Sequence, residues 1–375
     1  MDRPVAFPAR LSFAPPPYVD RAGNPLVMGP GACTFDAPAW RVPWPALLSP
    51  GTTSVELAIG YRSFVLPDDV TLLVRGADGA VRRFAGAAGP QPSPLAVGEV
   101  LSAGAVRALD GSGDVGRLLW VESDAGGDRV VRWSRTAGRT VLAAAPAITA
   151  LASPGPALQD VGVAILAGVA WAEPAPGGGS LVRYRWANQA PIATGAIQDL
   201  RGAAVNGSTL ATLEAPPGGP AQLFLRFANY DHTSLSAPVG PINVDPAQVA
   251  GRPALADGGL TTWVVWDEAG GIVGRECTPY GYLSDPIVID ASPGRAARWP
   301  RFARSKLVFV VREAGLDRFE VRERNADGTW RSLPAIPAGG QVASYTVEES
   351  FGLSVAWIDT DGVAHLRVAQ RNYYY

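Results

Sequence analysis

Hydrophobic runs along this chain are short, rich in Trp and Val, and broken by glycine and acidic residues at regular places. Leu118-Leu-Trp-Val-Glu-Ser-Asp-Ala-Gly-Gly-Asp-Arg-Val-Val-Arg-Trp133 reads as an apolar run, a polar glycine turn and a second apolar run. That is the pattern of a β-hairpin. Trp263 to Arg275 repeats it, and Val355 to Arg367 repeats it again. Weaker copies occupy Val70 to Phe84, Val169 to Trp186, Leu210 to Phe227 and Leu307 to Arg322. Anchored on Val74, Trp120, Trp171, Leu213, Trp266, Val311 and Trp357, the copies recur at steps of 46, 51, 42, 53, 45 and 46 residues. Around Trp266 the flanking strands are also legible. Arg252 to Asp257 precedes the hairpin, and Asp285-Pro-Ile-Val-Ile-Asp290 follows it. The tail recurs as Leu235-Ser-Ala-Pro238, Leu283-Ser-Asp-Pro286 and Ser332-Leu-Pro334. Proline or glycine interrupts almost every window long enough for a helix.

Hairpins at this period, each flanked by two further strands, resemble the repeats of β-propeller proteins. The resemblance covers roughly Val55 to Arg371 and implies an all-β fold of seven four-stranded blades, with six and eight as the neighbouring counts. A pair of β-sandwiches would not repeat its turn chemistry seven times, and solenoid repeats are usually shorter. The expected organisation is a Pro-rich segment over residues 1–50 and a single propeller domain over 51–375. After Trp357 the last unit has room for only its third strand, so a fourth must come from elsewhere or leave an open edge. Arg10-Leu-Ser-Phe13 and Cys33-Thr-Phe-Asp36 in the N-terminal segment are candidates to close the ring beside the strand that holds His365.

Composition narrows the chemistry. The 375 residues carry 32 Lys and Arg against 34 Asp and Glu, a net charge of −2 with no basic block. Nucleic acid is therefore excluded as the main partner, because phosphate binding needs a concentrated positive field. No run reaches the roughly 18 apolar residues of a membrane helix, so no membrane insertion is expected. The start, Met1-Asp2-Arg3-Pro4, has no apolar core of a signal peptide, which points to a cytoplasmic or particle-associated location. The one lysine, Lys306, follows Arg304-Ser305, so there is no Gly-Lys-Ser/Thr phosphate loop, and a strand-end role is expected. Cys33 and Cys277 are too few for a zinc site and read as two unpaired thiols. No metal or other cofactor is implied. Acidic turn residues such as Glu122, Asp124, Asp128, Asp359 and Asp361 lack the alternating ligands of a calcium loop and read as solvated turns. With 31 arginines, a bias of the chain as a whole, no single arginine stands out.

Candidate site residues are aromatic and lie in loops. Tyr230 and His232 fall in the loop after the third strand of the fourth unit, and Tyr280 and Tyr282 in the equivalent loop of the fifth. Trp299 is expected to lead into the sixth. These five side chains are the expected ligand or partner surface, since such rings offer apolar faces with a polar edge. Asp231, His232 and Ser234 suggest a hydrolase triad, but no Gly-x-Ser-x-Gly turn accompanies them, and an exposed loop histidine is expected. His365 alternates with Val363 and Arg367 and reads as half-buried. Asn325-Ala-Asp-Gly-Thr-Trp330 approaches the Asp-box turn of sialidase-like propellers but lacks the residue between Asp327 and Gly328. Trp40 and Trp44 among the prolines, and the terminal Tyr373, Tyr374 and Tyr375, are expected to dock the chain to a protein partner.

The functional expectation is a non-catalytic recognition or assembly module, in a larger complex such as a virion or phage-like particle, that binds a glycan or a protein. The alternative is a propeller-fold carbohydrate-active enzyme, a glycosidase or lyase, because fold does not fix function.

Overall fold

The computed structural model describes residues 54–368 except 61–68, 77, 88–98, 113–116, 135–136, 153–167, 187–188, 246, 249, 258–260, 292–293, 326–327, 350–352 and 363. Strands within this range form seven separate antiparallel sheets, each built from consecutive segments of chain. The first blade is β1 (Ser54–Gly60), β2 (Asp69–Arg75), β3 (Val81–Ala87) and β4 (Glu99–Val100). The second is β5 (Ala105–Ser112), β6 (Arg117–Asp124), β7 (Gly127–Ser134) and β8 (Gly138–Ala145). The third is β9 (Ala150–Ala152), β10 (Gly168–Pro174), β11 (Ser180–Trp186) and β12 (Ile192–Ala193). The fourth has β13 (Leu200–Asn206), β14 (Thr209–Glu214) and β15 (Gln222–Phe227). Single bridges Ala228–Leu235 and Leu225–Val239 stand where its outer strand would be. The fifth is β16 (Ala254–Asp257), β17 (Thr262–Glu268), β18 (Gly271–Cys277) and β19 (Ile287–Asp290). The sixth is β20 (Ala296–Ala303), β21 (Lys306–Glu313), β22 (Leu316–Arg324) and β23 (Trp330–Pro337). The seventh has β24 (Val342–Glu349), β25 (Leu353–Asp359) and β26 (Ala364–Val368).

All seven repeat anchors lie on second strands. These strands read as continuous apolar runs because each blade is covered on both faces by its neighbours. Leu118, Leu119, Trp120 and Val121 of β6 are all buried, as are Trp263 to Trp266 of β17. Each hydrophobic core joins two successive blades. Trp120 packs with Leu73 and Val81 of the first blade, and Trp357 with Phe319 and Val321 of the sixth. The first strands stand side by side in order, and β24 lies against β1, which closes the ring around a central channel.

Packing of β1 on β24 and β25 joins the first and last blades. Whether the N-terminal segment adds a further strand beyond β26 concerns residues outside the described range, as do the candidate strands near Arg10 and Cys33. Lys306 is the first residue of β21, as expected, and pairs with Glu349 and, at 3.5 Å, with Glu323.

The acidic hairpin residues correct the expectation of solvated turns. Asp124 and Asp361 are exposed, but Glu122 and Asp128 are only 3% and 2% exposed. The reason is the buried indole two residues earlier, on the same strand face. Trp120 Nε1 donates to Glu122 Oε2 at 3.0 Å, Trp171 Nε1 to Glu173 Oε1 at 2.7 Å, and Trp266 Nε1 to Glu268 Oε2 at 2.7 Å. The same acids hold the links between blades. Glu268 accepts the backbone N–H groups of Val244 and Asp245, Asp128 that of Ile148, and Asp317 that of Val342. A buried polar group without a partner is costly, so each carboxylate satisfies donors that would otherwise be orphaned.

Candidate aromatic rim

Loops after the third strands of the fourth, fifth and sixth blades share one turn. His232 N–H donates to Asn229 O at 2.9 Å, Gly281 N–H to Thr278 O at 3.0 Å, and Gly328 N–H to Asn325 O at 3.0 Å. The donor in each case is left-handed, with φ of 52°, 86° and 86°. Glycine takes that conformation without steric cost, whereas histidine does not. Side chains of the first turn residue complete the loops. Asn229 Oδ1 accepts the Thr233 and Ser234 N–H groups, and Thr278 Oγ1 accepts that of Tyr282.

These turns project tyrosines. Tyr230 and Tyr280 are each 97% exposed and Tyr282 is 67% exposed. The two loops are equivalent, but the rings are not at identical positions: Tyr230 is the second turn residue and Tyr280 the third. The sixth blade has no tyrosine in its turn, Asn325 to Thr329.

His232 is half-buried, which corrects the expectation of an exposed loop histidine. Its ring lies on Trp186 at the end of β11, with centroids 4.2 Å apart and planes 4° from parallel. Nδ1 is 3.0 Å from the Tyr184 hydroxyl, which itself donates to Gly207 O at 2.9 Å. Tyr184 has one proton to give, so the pattern assigns the imidazole proton to Nδ1 and leaves Nε2 as an acceptor. Burial lowers the His232 pKa, opposed by the nearby Asp231, and burial raises that of Tyr184. In a hydrolase triad a carboxylate orients the ring; here a tyrosine holds it.

Trp299 does not join this rim. It lies inside β20, at the irregularity between Arg298 and Arg301 where the ladder skips Pro300. Its N–H donates to Asp267 Oδ1, near the hairpin-turn end of β17, and the Arg298 guanidinium stacks 4.3 Å over its ring. Reading Trp299-Pro300 as an approach to the blade overlooked that a bulge admits proline within a strand. His365 is half-buried as expected, stacked on Trp357 with Nε2 2.8 Å from Asp359 Oδ2. Trp40, Trp44 and Tyr373 to Tyr375 lie outside the described residues.

No family model matches the chain, and no curated protein matches it by sequence. Solved structures do match by shape. One of two prolyl endopeptidases shares 14% identity over 84% of this chain and 46% of its own, at a TM-score of 0.53. The β-propeller domain of the trilobed protease from Pyrococcus furiosus, described as having an open velcro topology, shares 8% identity over 86% of this chain and 96% of its own, at 0.52. The WD40 domain of Toxoplasma gondii coronin shares 12% over 89% and 86%, at 0.51. This chain is a β-propeller. It spans about half the length of the prolyl endopeptidase chain, and at these identities the likeness concerns the fold alone.

The propeller also assembles residues that sequence reasoning passed over. Asp110 of β5 lies 3.6 Å from Arg252 Nη2 and 3.7 Å from Arg301 Nη1, although the three come from the second, fifth and sixth blades. Arg75 and Arg201 line the same cavity. The one signal available was position: Arg201 and Arg252 lie at or just before a first strand, where the chain enters the channel wall.

Proposed function

We propose that this propeller is a non-catalytic recognition module that presents the rim of Tyr230, Tyr280 and Tyr282 to a protein partner in a larger assembly. The observation that carries this reading is the near-complete exposure of Tyr230 and Tyr280 on adjacent blades. Both stand on turns whose backbone groups are hydrogen-bonded internally, so ordering them on contact costs little entropy. Tyrosine is enriched among residues that dominate binding energy at protein interfaces. A projecting turn suits a partner's hollow better than it suits a sugar, which needs a concave site with convergent polar groups. In this reading Trp40, Trp44 and Tyr373 to Tyr375 add docking area toward the roughly 800 Å² per partner of a stable interface.

A carbohydrate-active enzyme would need two carboxylates facing one another across the scissile bond. The described lining of the channel cavity supplies Asp110, set between arginines, and that reading draws no support from it.

Affinity capture with the full chain tests the proposal, with Tyr280→Ala/Tyr282→Ala compared against the exposed hairpin-turn variant Asp124→Ala. Loss of protein interactors in the tyrosine variant alone is expected. Loss in Asp124→Ala with retention in the tyrosine variant would put the contact on the opposite face. A glycan-array signal without any protein interactor would move the reading to carbohydrate.

A further inference from the structure

The ring encloses a cavity of about 310 Å³ whose wall includes Arg75, Asp110, Arg201, Gly202 and Arg252. Its arginines gather at one end. Arg75 pairs across the sheet with Ser54, the first residue of β1; Arg201 is the second residue of β13; Arg252 precedes β16 by two residues. All three stand where first strands begin. The tyrosine loops follow third strands and so occupy the other end of the blades.

Charge at this mouth is unbalanced. Arg75, Arg201, Arg252 and Arg301 bring four guanidinium groups, against Asp110 and the Asp199 that pairs with Arg201 at 2.6 Å. That leaves two positive charges in excess on a chain whose total is −2. Arg252 approaches Asp110 no closer than 3.6 Å, beyond hydrogen-bond distance, so the attraction leaves its donor fork available. The side chains of Arg201 and Arg252 are both more than half exposed and can turn toward a solute. Arg75 is fixed by the carbonyls of Val106 and Arg107. A concave wall of low polarizability concentrates the field of such charges. Behind them the lining is apolar, with Leu109 and Leu151.

We infer that this mouth of the channel binds a small organic anion, with Arg201 and Arg252 gripping its carboxylate or phosphate group. The planar guanidinium fork matches both groups in bidentate fashion. A cavity near the lower end of ordinary ligand sites, about 300 Å³, fits a small molecule and not a polymer. Asp110 limits the excess charge and holds Arg252 and Arg301 over the cavity.

Calorimetric titration of the full chain in low-chloride buffer tests this, with citrate as the carboxylate probe and pyrophosphate as the phosphate probe. Saturable one-site binding of at least one is expected, and which one binds identifies the anionic group. Arg201→Gln/Arg252→Gln should weaken it by about tenfold or more, the loss of one charge-assisted contact. Gly202→Leu should abolish it while keeping every charge. A Cβ at Gly202 meets Arg252 Cγ at 3.8 Å, ordinary contact, so the added side chain fills the cavity without a backbone clash. Tyr280→Ala/Tyr282→Ala should bind as the wild type does, which separates this site from the rim. Absence of saturation by either anion to about 10 mM, or unchanged affinity in the double arginine variant, would overturn the inference.

Discussion

The His232 imidazole lies flat on the Trp186 indole, binding a loop of the fourth blade to the third strand of the third. The contact explains how histidine occupies a left-handed turn position that the next two blades give to Gly281 and Gly328. Stacking of this kind is worth about 0.5–1.5 kcal/mol, similar to the cost of the left-handed residue. His232→Gly is therefore expected to leave the melting temperature nearly unchanged, since it loses the stack and the strain together. His232→Ala loses the stack and keeps the strain, and should melt lower.

The same burial sets a pH dependence. With its pKa held below the ordinary 6.5, His232 binds its proton more readily in the unfolded chain. Its neutral form thus favours the fold fully above 6.5, and the benefit is lost as pH falls from there through the lowered folded value. An NMR titration should place the folded imidazole below 6.5, and the stability of His232→Asn should fall less steeply across that window than that of wild type. A folded value above 6.5 would contradict the burial argument.

Glu268 holds three donors at once: the Trp266 indole and the N–H groups of Val244 and Asp245. Glu268→Ala should strand all three, at about 1–3 kcal/mol each, a large part of the 5–15 kcal/mol that holds a typical protein folded. Glu268→Gln keeps one acceptor oxygen and should lose less. Urea midpoints in the order wild type, Gln, Ala would establish the acid as a staple; equal midpoints would show that water replaces it.

Cys277 is fully buried, its Sγ 3.4 Å from Thr262 O, and burial pushes its thiol up to about 12. The thiolate is the reactive form. In a Cys33→Ser background the native chain should not react with a disulfide reagent at pH 8, and should react once urea unfolds it. Rapid native labelling would mean that the fifth blade opens readily.

Among the described residues β26 has no strand on its outer side, although β1 and β24 already join the first and last blades. An open strand edge invites pairing with another chain. If the segment before residue 51 covers this edge, its deletion should yield aggregation in light scattering. A truncated chain that stays monomeric with an unchanged melting temperature would remove the segment from the fold.

The ring was legible in the sequence because a hairpin is a local object. Alternating apolar residues, a glycine turn and a following strand lie within about twenty residues, so the seven anchors from Val74 to Trp357 marked second strands before any contact was known. The exposed tyrosines were legible for the same reason, as turn residues between two readable strands. Burial of Glu122 and Asp128 was not, because an acid beside a glycine looks the same whether its carboxylate meets water or a neighbouring blade's N–H. The partnership of His232 with Trp186 spans 46 positions, and that of Asp110 with Arg301 spans 191. Neither has a local signature: the tilt of one blade against the next decides the first, and closure of the ring decides the second. The sequence alone determined how many blades there are and where their turns fall; only the closed ring decided which charges face one another across its channel, because that depends on distances set by all seven blades together.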